Sequence, residues 1–150
     1  MFKFSADFDG LVAEAERLQA QMPIVKRQAL TAIGYRLVAL EKQHFLQLTE
    51  TGSSNGVTWP DQSPATLARR KTLQRRGLLA NADPEDVGRQ SGRLSRSFRF
   101  VVKNDSVHLT NTDPKAGYFA GRRPLYPQSM PDDWQAKSEQ ILQSKLNRIT

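Results

Sequence analysis

The chain has 150 residues, of which 38% are hydrophobic and 25% charged, and its formal net charge is +7 at pH 7. This balance predicts one soluble globular domain spanning residues 1–150. The absence of cysteine excludes disulfides, thiol nucleophiles and thiolate metal sites, and two histidines leave little scope for acid–base chemistry. No apolar run reaches the roughly 18 residues of a membrane helix and the N-terminus lacks the apolar core of a signal peptide, so we expect neither membrane insertion nor secretion.

Two amphipathic helices are predicted at the start of the chain. Apolar residues recur at helical spacing across Phe8–Met22. Pro23 is expected to interrupt this helix and to serve as the first residue of a second one, which carries an apolar stripe through Leu30–Leu48 and ends before Thr51. His44 lies beside this stripe with no metal ligand three or four residues after it, so we interpret it as a packed or partly exposed side chain and not as a metal ligand.

The middle of the chain is predicted to contain a loop, a short basic helix and a second loop. Residues 51–56 favour turns and positive φ, which is typical of a loop. A helix is expected from Pro64 to Arg76, with Ser63 as its N-cap and Gly77 just beyond its end. The polar segment Ala80–Gln90 is predicted to be a mobile loop.

A β-hairpin is predicted after the second loop. Apolar and polar residues alternate along Leu94–Lys103, which places Phe98 and Phe100 on the inward face of a strand. Its partner strand is expected at Val107–Asn111, after a short turn, with His108 pointing outward.

The last third of the chain is predicted to add a short strand and a helix. Residues 117–120 are assigned to a third strand, and a C-terminal helix beginning near Pro131 carries Trp134 on its apolar face. The fold class is therefore α+β: N-terminal helices, a short basic helix, a small antiparallel sheet with a hairpin, and a C-terminal helix.

Basic residues are concentrated between Arg69 and Lys103. This stretch holds ten lysines and arginines against three acids, a net charge of +7. Such a field attracts phosphates or an acidic protein surface, so the alternatives are a solvated basic face, an acidic protein partner or DNA contact. The candidate interface or DNA-facing residues are Arg69, Arg70, Lys71, Arg75, Arg76, Arg93, Arg96 and Arg99.

Motifs for catalysis or cofactor binding are not found in the sequence. Its glycines do not form a phosphate-binding loop, and no hydrolase nucleophile elbow is present. Asp132 and Asp133 are explained by the helix dipole, and the three acids of the second loop lack the rest of a calcium pattern. We therefore expect no enzyme activity, no metal and no cofactor, and a hydrolase or nuclease is the least favoured alternative, for want of acid–base or metal ligands.

Several segments together resemble a known family. These are the run 56–71, with Trp59-Pro60 and Ser63-Pro64-Ala65-Thr66 leading into the basic helix, and the run 90–98, with Ser91-Gly92-Arg93-Leu94 entering the strand. The proline-containing stretch from Arg123 to Trp134 follows later. In this order they are similar to the phage virion morphogenesis family, the tail completion and head-tail joining proteins of tailed bacteriophages and prophages.

The resemblance implies a structural role in the neck of the virion. Copies are expected to form a homo-oligomeric ring, made in the host cytoplasm, that contacts tail tube or tail terminator proteins, connector proteins and, non-specifically, the DNA that passes through. From the residues themselves we expect structural anchors at Trp59, Pro64, Gly92, Phe98, Phe100 and Trp134, and for Trp59 a partner contact is the alternative. The competing hypothesis is a small DNA-binding protein that contacts phosphates through residues 69–76.

Overall fold

The computed structural model of the protein describes residues 8–78 and 92–149, and the predicted α+β class is confirmed. The predicted mobile loop at residues 80–90 lies outside the described residues. In chain order the elements are α1 (Phe8–Thr51), β1 (Ser53–Ser54), β2 (Val57–Thr58), α2 (Pro64–Arg75), α3 (Arg93–Arg96), β3 (Phe98–Lys103), β4 (Ser106–Asn111), α4 (Ala116–Ala120) and α5 (Asp132–Leu146).

The N-terminal region is one continuous helix, so the prediction of two helices separated at Pro23 was wrong. α1 has 44 residues and contains Pro23 in its interior. A proline there removes one backbone hydrogen bond and strains one turn, but its fixed φ is compatible with a helix. The residues that follow are held by packing, with Val25 and Ala29 both buried, so the helix extends past the proline.

The segment predicted as a loop after α1 is a miniature hairpin. β1 and β2 pair antiparallel, with Ser53 opposite Thr58. Asn55 and Gly56 connect them with φ values of 47° and 77°, the left-handed geometry that a two-residue hairpin turn requires. The predicted positive φ is therefore correct, and two short strands accompany it.

The basic helix α2 has the predicted ends. The Ser63 hydroxyl accepts a hydrogen bond of 3.2 Å from the Thr66 N–H, and Pro64 is the first helical residue. Gly77 takes φ 68° beyond the C-terminus, a conformation that favours glycine. The structural role predicted for Pro64 is thus a helix start.

The predicted hairpin is present, but its first strand begins four residues later than expected. Gly92 takes φ 72° and precedes the helical turn α3, so the chain turns before it extends at Phe98. β3 and β4 then pair from Phe98 opposite Asn111 to Lys103 opposite Ser106. His108 is exposed on β4, as predicted.

The predicted third strand at residues 117–120 is instead the short helix α4. The Asp113 carboxylate accepts a hydrogen bond of 2.9 Å from the Lys115 N–H, and the Asp113 carbonyl accepts one of 2.9 Å from the Ala116 N–H. These bonds and the fixed φ of Pro114 start a helix before a strand can form.

Two apolar clusters lie on the C-terminal half of α1. In the smaller cluster, Trp134 of α5 packs on Leu37 and Leu40. Phe100 lies on the inward face of β3, as predicted, and is partly buried against α1 at the edge of the core, where its ring meets Tyr35. The larger, main cluster consists of Phe45, Leu48, Val57, Trp59, Leu94, Phe98, Ala116 and Leu125.

Candidate interaction surface

Helix α2 presents one face to the body of the protein. Leu67, Arg70 and Leu73 recur every three residues, and they are its only residues that are not exposed. Arg70 is 6% exposed, so its prediction as an interface or DNA-facing residue was wrong. Its position between two leucines on the inward face of the helix explains the burial.

The other basic residues of this segment form an exposed band on the outer faces of α2 and its C-cap. The band consists of Arg69, Lys71, Arg75 and Arg76, all of them exposed. α2 itself contains no acidic residue, so its sequence provides no neutralising charge within the helix. We call these four residues the basic band, which is suited to an anionic surface.

Three further predicted arginines lie together on α3 and β3, and all are exposed. The Arg99 guanidinium donates hydrogen bonds of 2.8 Å to the Arg96 carbonyl and 2.7 Å to the Phe98 carbonyl. Arg93 Nε lies 3.9 Å from Oδ2 of the buried Asp113 carboxylate. Arg93 is therefore partly neutralised, and Arg99 is fixed against the backbone.

Trp59 joins two distant segments of the chain. It is 3% exposed, as expected of a structural anchor, and its indole N–H donates a 2.8 Å hydrogen bond to the Pro124 carbonyl. The Arg123 guanidinium donates a 3.0 Å hydrogen bond back to the Pro60 carbonyl. Edge-to-face contacts with Phe45 complete its packing. These bonds hold the segment before α2 against the approach to α5.

A buried acid on α1 was missed in the sequence. Glu41 is 0% exposed, and neither of its carboxyl oxygens has a hydrogen-bond partner among the described residues. Burial raises its pKa to about 9, so the side chain is a neutral acid at neutral pH. It lines a cavity of about 240 Å³ together with Tyr126 and Trp134. Burial and the charge of Glu41 also raise the pKa of Tyr126.

His44 lies one helical turn further along the same face. It is 2% exposed, which confirms the prediction of a packed histidine. Its Nδ1 forms a 2.8 Å hydrogen bond with the Ser54 hydroxyl, and its ring meets Trp134 edge-on. Burial lowers the pKa of His44 to about 4, so the ring is neutral at neutral pH.

The sequence contained a signal for this pair that was not used. Glu41 lies one residue after Leu40 and His44 four residues after it, beside an apolar stripe whose own members are buried. Polar residues at those positions share the inward face of the helix. In the part of the chain that the structure describes, no three histidine, aspartate or glutamate side chains are grouped closely enough to hold a metal ion.

Comparison with protein families, with curated proteins and with solved structures found no match to this chain. Within residues 8–78 and 92–149, no helix has the length and apolar character needed to cross a membrane.

Proposed function

We propose that the protein is a structural phage assembly protein that completes the tail and joins it to the head connector as a ring. The observation that carries the proposal is the contact between the segments that resemble the virion morphogenesis family. Trp59 and Phe98, from two of these segments, lie in one apolar cluster with Leu125 from the third. Residues that define a family pattern are expected to meet in this way when the pattern specifies one fold.

Polar contacts tie the same segments together. Trp59 bonds the Pro124 carbonyl and Arg123 bonds the Pro60 carbonyl, across more than 60 residues of sequence in each case. Gly92 takes the positive φ that the Ser-Gly-x-Leu entry to the strand calls for. The pattern thus has a structural reason in each segment.

The basic band supports a role beside an anionic partner. Its four side chains are exposed on a helix with no acids of its own, so they favour an acidic face of a tail or connector protein, or DNA in transit. DNA that passes through a ring must slide, and exposed arginines and lysines that form separate contacts release it more readily than a closed clamp.

The test is genetic complementation in a phage or prophage that carries the gene. Deletion of the gene should leave separate heads and unfinished tails in electron micrographs, and the wild-type chain should restore virions. The double variant Arg75→Glu/Arg76→Glu should fold normally and fail to restore joining, whereas Lys115→Glu, an equally exposed basic site away from the band, should restore it. Normal virions from the deletion would overturn the proposal.

The second candidate, a small DNA-binding protein, is favoured by the same basic band. It requires duplex binding by the free protein at micromolar concentration, with affinity that falls by a log–log slope of about −0.9 per phosphate contacted. Fluorescence anisotropy with a labelled duplex at several salt concentrations measures this directly. Under the first proposal we expect weak, sequence-independent binding, and tight, sequence-selective binding would favour the second.

A further inference from the structure

The start of α1 carries apolar side chains that no described element covers completely. We call residues 13–24 the arm. In the arm Ala15 is exposed, Leu18 is half-buried and Met22 is 45% exposed. Ala15, Leu18 and Met22 follow one another at spacings of three and four, so they share one face of the helix. Apolar residues on one helix face are the usual sign of a packing surface.

A groove between α1 and α5 is open along the following stretch of the helix. Two adjoining cavities of about 620 and 510 Å³ share Ala32 and Lys145 among their lining residues. Their apolar lining includes Ile24 and Ile141, and Tyr35, which is 69% exposed. The groove therefore offers apolar surface to solvent over the length of the helix from residue 24 to residue 36.

The arm and the groove have opposite charge. Four basic side chains line the groove: Arg27, Arg36, Lys137 and Lys145. The arm contains Glu14, Glu16 and Arg17, a net charge of −1, and Arg17 forms an ion pair with Glu14, which leaves Glu16 as its unpaired acid among the described residues. Charges of opposite sign on two apolar surfaces favour their contact and set its orientation.

The arm and the groove also have the same length. Residues 13–24 and residues 24–36 each extend about 18 Å at roughly 1.5 Å per residue. The arm cannot enter the groove of its own chain, because both belong to one continuous helix and point along the same axis. An occupant of this length and charge has to come from another molecule.

We propose that the arm of one copy lies in the α1–α5 groove of a second copy. As a contact between copies the inference stands on these two surfaces. The further statement that this contact closes a ring around the tail rests on the proposed function. A ring needs an interface that joins unlike surfaces of neighbouring copies.

Charge reversal tests the contact. One variant carries Glu14→Lys and Glu16→Lys in the arm, and the other carries Arg27→Glu and Arg36→Glu in the groove. Each variant alone then sets like charges against each other. We expect the self-association constant of each, measured by sedimentation velocity at low salt, to fall at least about tenfold from that of the wild type.

Mixing the two variants provides the decisive measurement. In the mixture, the reversed arm of one variant is complementary to the reversed groove of the other. The variant with the reversed groove still has a native arm, which is complementary to the native groove of the variant with the reversed arm. An equimolar mixture should therefore recover association to within about threefold of the wild type. Lys103→Glu with Lys115→Glu, the same change of charge at two exposed residues outside the arm, the groove and the basic band, is the matched control and should associate as the wild type does.

Three outcomes would overturn the inference: a wild-type protein that stays monomeric at the highest soluble concentration, a single variant that associates as the wild type does, or folded variants whose mixture stays monomeric. Circular dichroism verifies that each variant retains its helices. Self-association in solution and the rescue of virions are separate readouts. Association without rescue would therefore refute the phage role alone, and rescue by non-associating variants would refute the contact alone.

Discussion

The arm and the later part of helix α1 share a helical spacing of apolar residues but have different surroundings. Apolar residues recur at helical spacing in both the arm and the half from residue 25 onward. In the later half Phe45 and Leu48 are completely buried in the main cluster. In the arm Met22 and Ile24 are largely exposed.

The difference shows that periodicity identifies a packing face and not its partner. The later half meets the hairpin, α5 and the Trp59 segment, each of which comes from further along the chain. The apolar face of the arm is covered only in part by the described elements: Met22 is 45% exposed and, with Val102 and Asn104 of the hairpin, lines an open cavity. A helical stripe left exposed in one chain is the surface on which we expect a second molecule.

The largest expected effect is in the packed half. Leu48→Ala should lower the free energy of unfolding by about 2–5 kcal/mol, because it removes a fully buried side chain and leaves a cavity in the main cluster. Urea denaturation followed by circular dichroism measures the change. A loss below about 1 kcal/mol would mean that the two halves of α1 do not differ in packing as described.

Most of the elements could be predicted from local chemistry. The ends of α2 follow from Ser63, Pro64 and Gly77, and the facing of β3 follows from alternation, because capping and pleating depend on a few neighbouring residues. The predictions at Pro23 and at residues 117–120 were wrong, since packing on α1 and the Asp113 hydrogen bonds outweighed the local preferences.

The surfaces were harder to predict than the elements. The sequence located the basic segment correctly, but the burial of Arg70 depends on which face of α2 meets the body. Likewise, Glu41 lies on a face whose burial is set by α5 and by Tyr126, both more than 80 residues away. Helical spacing beside Leu40 indicates which face of α1 Glu41 shares, but long-range packing decides that this face is buried at Glu41 and that Arg70 faces the body of the protein.

A second substitution tests how closely the packed half meets the hairpin. Gly34→Ala would place a Cβ 2.2 Å from the ring of Phe100, so one of the two must move. We expect a loss of about 1–3 kcal/mol from overpacking, although alanine is the better helix former. In a Phe100→Ala background the same change should be neutral or stabilising. Thermal or urea unfolding of the wild type, the two single variants and the double variant measures both losses. A loss of equal size in both backgrounds would contradict the contact between Gly34 and Phe100.

The buried acid predicts an unusual pH dependence for the packed half. The pKa of Glu41 is raised from 4.5 to about 9, so the folded state retains a proton that the unfolded state has lost. The stability that this group contributes is complete below about pH 4.5 and is lost as the pH rises toward 9, by at most about 1.4 kcal/mol per pH unit. Glu41→Gln should abolish that decline, as urea denaturation at about pH 5, 7 and 8.5 can measure.

His44 acts in the opposite direction and serves as the internal control. Its pKa is lowered from 6.5 to about 4, so its contribution is complete above pH 6.5 and is lost as the pH falls toward 4. The Glu41→Gln variant should therefore still lose stability in acid. If the wild type and the variant had parallel pH profiles above pH 6.5, Glu41 would have to be ionised in the folded protein.

The smallest expected effect is in the arm, and it depends on concentration. Leu18→Ala makes the same chemical change as Leu48→Ala in the same helix, but Leu18 is half-buried whereas Leu48 is completely buried. In dilute solution, where the protein is monomeric, the free energy of unfolding should therefore change by no more than about 0.5 kcal/mol. At concentrations where copies associate, the variant should be less stable than the wild type, since binding stabilises the folded state in proportion to occupancy. Unfolding curves at two protein concentrations separate the cases. A loss of stability above about 1 kcal/mol in the dilute monomer would show that the arm is packed within one chain. A difference between variant and wild type that grows with concentration would place the partner of the arm in a second copy.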